Sequence, residues 1–87
     1  MDQVKIGKFI ANCRKEQNMT QRQLADILEI SDKTISKWEC GKGLPDVQFM
    51  IPLCDLLGIN VNELLSGEKI SADEYQKRAE ENMMTLV

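Results

Sequence analysis

The 87-residue chain has no histidine, and its three cysteines, Cys13, Cys40 and Cys54, form no CxxC pair. With no imidazole and an odd, scattered set of thiols, neither a zinc site nor a disulfide framework is expected. Free thiols suit a reducing compartment, so the expected location is the cytoplasm. Cys13 and Cys54 fall on apolar faces and read as small core residues. Cys40 is the thiol placed for exposure, with redox sensing as a minor alternative. No apolar run approaches the roughly 18 residues of a membrane span, and the N-terminus lacks the apolar core of a signal peptide. No membrane contact is therefore expected within residues 1–87. The chain also lacks a glycine-rich phosphate loop and a nucleophile with a partner, which argues against an enzyme. No cofactor is expected. Alternating β-branched runs and hairpin dipeptides are missing too, so the fold class is all-α.

What remains fits one small domain. A core of this size is marginal and needs efficient packing or an oligomer. The net charge of −3 argues at first against nucleic acid. Its distribution changes that reading. Residues 1–43 hold eight Lys and Arg against six Asp and Glu, whereas residues 44–87 hold three against eight. The first half is the one that a polyanion would meet.

Five short helices can be placed. Asp2 can cap a first helix running to about Gln17, with Val4, Ile6, Phe9, Ile10 and Cys13 as its buried stripe. Thr20 and Gln23 have capping-box spacing for a second helix, and Ser31 caps a third. Pro45-Asp46 opens a fourth, in which Phe49, Met50, Leu53, Leu56 and Leu57 repeat before Gly58 ends it. Asn60 and Glu63 again have capping spacing, and Gly67 closes a short fifth helix. The expected ranges are 3–17, 21–28, 32–39, 47–57 and 61–66, with Ile10, Leu24, Ile35, Trp38, Leu53 and Leu57 buried together. Ser71-Ala72-Asp73-Glu74 reads as a further cap for a C-terminal helix carrying Tyr75, Ala79 and Met83. The uncapped apolar end at Met83–Val87 suggests a chain cut within that helix. The expected organisation is a domain over 1–67, then a linker and the start of a C-terminal helix over 68–87.

The stretch Thr20 to Gly43, TQRQLADILEISDKTISKWECGKG, is the most informative. Leu24, Ala25 and Leu28 form a narrow apolar stripe, and Ile35 and Trp38 form another after a break too short for a loop of its own. Helices joined so tightly cannot lie antiparallel and must cross steeply, as a helix-turn-helix. At about 100° per residue, Ser31, Thr34, Ile35 and Trp38 gather on one side of the second helix. Asp32, Lys33, Ser36 and Lys37 fill the opposite arc. A helix rooted by an aliphatic and a tryptophan, with lysines and a small hydroxyl outward, suits a DNA major groove.

The residues Thr20-Gln21, Leu24-Ala25, Ile30-Ser31, Ile35-Ser36-Lys37-Trp38-Glu39, Gly41-Lys42 and Leu44-Pro45-Asp46 make the resemblance specific. Over about residues 4–67 the chain resembles the phage Cro and repressor helix-turn-helix family, or XRE family, of sequence-specific transcription regulators. The resemblance implies a five-helix, repressor-like domain. It also implies a regulator of double-stranded DNA, repressor-like and acting as a homodimer on a palindromic site. The rival reading is a protein-interaction module on the same scaffold, such as an adaptor or the antitoxin half of a complex. Outward lysines favour DNA. The homodimer is expected to be weak, because residues 1–67 show no long exposed apolar stripe.

Roles follow residue by residue. The resemblance gives Gln21 a phosphate-contact and bracing role; the alternative is a solvated neighbour of the capping box. Lys33 and Lys37 are four apart and share a face, so either can donate to guanine O6 and N7 or to phosphate. Ser36 between them can reach a base edge or a phosphate, and Thr34 on the flank is expected at the backbone. Asp32 either favours the helix N-terminus or accepts from cytosine N4. Lys42 follows a left-handed Gly41 where the chain passes the phosphates. Trp38 is expected in the core with its indole N–H aimed at a partner. By resemblance, Arg14 and Glu39 form a partly buried ion pair tying helix 1 to the end of helix 3. Two residues depart from the family pattern. Glu29 stands where glycine with positive φ is common, and Cys40 where asparagine or arginine is frequent, which puts a phosphate contact there in doubt.

Overall fold

A computed structural model describes residues 2–71. Five helices follow in order: α1 Gln3–Glu16, α2 Gln21–Leu28, α3 Asp32–Glu39, α4 Val47–Leu57 and α5 Val61–Ser66. No strand occurs among the described residues. The helix expected after Ser71 lies outside them.

Local chemistry sets the boundaries. The Asp2 side chain accepts from the Lys5 backbone N–H and caps α1, which ends one residue earlier than expected, with Gln17 as its C-cap. Reciprocal capping boxes, Thr20 with Gln23 and Asn60 with Glu63, start α2 and α5. Asp46 begins α4 with extended backbone only, its side chain making no capping bond. Left-handed Glu29, Gly58 and Gly67 stop α2, α4 and α5.

The helices meet over one core. Ile6, Ile10, Leu24, Ile35, Leu53 and Leu64 are almost completely buried, with Trp38, Cys13, Cys54 and Leu57 beside them. The Trp38 and Phe49 rings meet in a tilted pair, centroids 5.8 Å apart. The Trp38 ring is buried, and its indole N–H bonds to none of the described residues but is not sealed from solvent. Val4, expected in the core stripe, is 52% exposed. It lies in the first turn of α1, where the chain after α3 crosses so closely that a Cβ on Gly41 would stand 2.8 Å from Val4 Cα. Backbone contact takes the place of side-chain burial there. Past Gly67, Ile70 is buried, its N–H donating to Glu63, and Lys69 and Glu68 pair with Glu16 and Lys5 of α1.

Candidate nucleic-acid interface

Glu29 lets the two helices of the turn cross. With φ 58°, it holds a left-handed conformation that L-residues adopt only with strain. Three residues, Glu29, Ile30 and Ser31, then separate α2 from α3. Ser31 Oγ accepts from the Lys33 N–H at 3.1 Å and starts α3.

The burial of α3 divides it into a root and an outer face. Ile35 and Trp38 are buried, whereas Asp32, Lys33 and Lys37 are exposed; Thr34 and Ser36 are half-buried on the flanks. Asp32, Lys33, Ser36 and Lys37 therefore lie on the arc opposite the root. Lys37 does not point straight out. Its aliphatic stem runs back past Gly43, where an added Cβ would stand 3.1 Å from Lys37 Cε. Lys42 is exposed on the same exit segment, its N–H donating to the Lys37 carbonyl at 3.0 Å. Lys33 thus stands at the leading end of α3, and Lys37 and Lys42 stand toward its exit.

A charged network fixes the end of α3. Arg14 Nε donates to Glu39 Oε2 at 2.7 Å and a terminal guanidinium nitrogen to Oε1 at 3.0 Å, a two-point pair. Both side chains are about nine-tenths buried. The other terminal nitrogen of Arg14 donates to the Met19 carbonyl at 2.7 Å. Gln21 Nε2 also donates to Glu39 Oε1, at 3.0 Å. The hydrogen bond to Glu39 raises the Arg14 pKa further above its ordinary value, against the opposing effect of burial. Gln21 is half-buried at the start of α2 and ties α2 directly to the carboxylate that also holds α1. Neither that bond nor the Met19 carbonyl was evident in the sequence; the only available signal was a glutamine directly after the cap residue Thr20.

Cys40 is exposed at the C-cap of α3, while Cys13 and Cys54 are buried, and burial pushes both of their thiols up. Large apolar side chains whose exposure was not foreseen from sequence stand on α4 and at the end of α2, Val47, Ile51 and Ile27 being 82%, 66% and 56% exposed. No helix among the described residues is long and apolar enough to cross a membrane.

Comparison with known proteins agrees with this geometry. A family model described as helix-turn-helix matches residues 10–64. The chain is 42% identical over 67 residues to the HTH-type transcriptional activator BcrR of Enterococcus faecalis, covering 77% of this chain and 33% of that protein. It is 38% identical over 74 residues to the cryptic phage CTXphi transcriptional repressor RstR of Vibrio cholerae, covering 85% of this chain and 64% of the repressor. It is also 30% identical over 69 residues to multiprotein-bridging factor 1 of Candida albicans, covering 79% of this chain and 46% of that protein. The chain thus spans less than two thirds of the length of each of these three. On the match over residues 10–64 and the likeness to the phage repressor, it belongs to the helix-turn-helix family of the Cro and repressor, or XRE, type.

Proposed function

We propose that this chain is a sequence-specific, double-stranded DNA-binding transcription regulator that reads the major groove with α3. The observation that carries the proposal is the division of α3 into a buried Ile35–Trp38 root and an opposite face on which Asp32, Lys33 and Lys37 are exposed and Ser36 is half-buried. A rooted helix holds its outward donors at fixed spacing, which base reading requires. Lys33 is the base-reading lysine. Lys37 and Lys42 at the exit, with Gln21 and Thr34, hold the phosphates, and Ser36 reaches either. Gln21 can do this because Glu39 already fixes its side chain.

Regulation follows from the relatives, of which one is named an activator and another a repressor. The repressor-like mode needs only occupancy of a site. Palindromic sites call for a second copy related by a two-fold axis, so the working unit is a homodimer on DNA. The three free thiols support a reducing compartment, the cytoplasm, as its location, and the chain is read as a binding protein rather than a catalyst. The likeness to a multiprotein-bridging factor keeps one rival open, a protein-binding use of the scaffold. Selection from a random duplex pool separates the two. Enrichment of a pseudo-palindromic sequence is expected; binding no tighter to any enriched duplex than to the starting pool would refute the DNA reading.

A further inference from the structure

Arg22 is exposed on the first turn of α2 and belongs to none of the contacts above. With Asp26, Ile30, Ser31 and Asp32 it lines a cleft of about 240 Å³ beside the start of α3. Asp26 stands one turn after Arg22 on its own helix. Asp32 borders the same cleft from the first turn of α3. Among the described residues, none of these three charges closes an ion pair. A guanidinium with unused donors and a carboxylate that can only accept therefore share one concave surface, at the end of α3 that leads into the groove.

Asp32 is the anomaly on that face. A carboxylate beside phosphates is repelled, so a neutral residue there would hold any duplex more tightly. An acid in the first turn of α3 gains from the helix N-terminus, and on the groove-facing arc it also selects. In the major groove, the cytosine N4 amine is the donor that a carboxylate accepts. Adenine offers its amine beside the N7 acceptor, which repels the second carboxylate oxygen. The selection works if a nearby cation offsets the repulsion, and Arg22 is the cation lining the cleft.

We propose that Arg22 and Asp32 form one reading unit. Asp32 accepts from a cytosine amine and determines specificity; Arg22, a positioning residue, steadies the carboxylate across the cleft and offsets its repulsion from the backbone. The proposal rests on the docking of α3 in the major groove.

The test is a double-mutant cycle with the full chain, on the duplex it selects and on copies of that duplex carrying each base pair in turn. Asp32→Ala should erase a cytosine preference at one position of each half-site and tighten binding to random duplex. Arg22→Ala should weaken operator binding at least about 5-fold more when residue 32 is Asp than when it is Ala. Arg22→Lys should restore most of that loss. A merely structural Arg22 would lower thermal stability and leave base preference alone. Additive losses, coupling to Asp26 in place of Asp32, or an unchanged base preference after Asp32→Ala would overturn the pairing. Should the unaltered chain select no duplex, the docking of α3 fails and the pairing with it; should it select one while the losses add, only the pairing fails.

Discussion

Three donors converge on one carboxylate at the end of α3: Arg14 Nε, a terminal nitrogen of Arg14, and Gln21 Nε2 all bond to Glu39. Removing that carboxylate would leave a guanidinium nine-tenths buried with only the Met19 carbonyl as acceptor. Glu39→Ala is therefore expected to lower stability by about 3 kcal/mol in urea denaturation, the low end for a broken buried pair. A loss under about 1 kcal/mol would show that water repairs the gap. The thiols give a second expectation at this scale. Cys40 is exposed and should react quickly with a thiol reagent at neutral pH, whereas buried Cys13 and Cys54 should react only on unfolding. Burial raises the Cys13 and Cys54 pKa above 9.0, so the unfolded chain ionises first as pH rises. Stability should then fall with rising pH above about pH 9, each thiol contributing at most about 1.4 kcal/mol per pH unit. Cys54→Ala should make that slope shallower, and an unchanged slope would contradict the assignment.

At the scale of elements, α1 holds α3 through backbone approach as much as through side chains. A Cβ on Gly7 would run into the Trp38 carbonyl and stand 2.8 Å from the Glu39 carbonyl. Both are backbone atoms that cannot swing aside. Gly7→Ala should push α1 off the end of α3 and lower stability by about 1–3 kcal/mol, and wild-type stability for that variant in thermal melts would contradict so close a crossing. This contact was illegible in the sequence, where Gly7 is only a gap in an apolar stripe. The helices themselves were legible, because Asp2, Thr20, Ser31 and Asn60 are capping residues whose local bonds form whatever the tertiary packing. The outer face of α4 was not. Its sequence, VQFMIPLCDLL, is apolar nearly all round; the repeat of Phe49, Met50, Leu53, Leu56 and Leu57 leaves Val47 and Ile51 off the stripe, but two apolar residues off a stripe do not announce their exposure. Pro52 stands inside α4 and cannot donate to the carbonyl four residues back. On α3, Ile35 and Trp38 alone marked the buried side, and the outer arc followed by elimination. Gln21 and Lys37 depart from that simple picture because their side chains lean on neighbours outside their own helices, Glu39 for Gln21 and Gly43 for Lys37.

On the scale of the whole molecule, α3 lies in the half of the chain with the basic excess. Val4, Ile27, Val47 and Ile51 are the large apolar side chains exposed among the described residues, few against the about 800 Å² per partner of a standard interface. Sedimentation of the free protein should accordingly find monomer or a weak dimer, and a tight dimer without DNA or residues 72–87 would contradict this. The proposed function depends most on α3 reading bases and not merely resting on charge. Titration of Lys33→Ala and Lys42→Ala, each on the selected operator and on random duplex, tests that most directly. Lys42→Ala should weaken both duplexes alike and reduce the salt slope by about one unit, as a phosphate contact does. Lys33→Ala should cost about 1–3 kcal/mol on the operator and much less on random duplex. Equal losses on the two duplexes for Lys33→Ala would reduce Lys33 to a phosphate contact, and no loss on either would contradict the claim that α3 reads DNA.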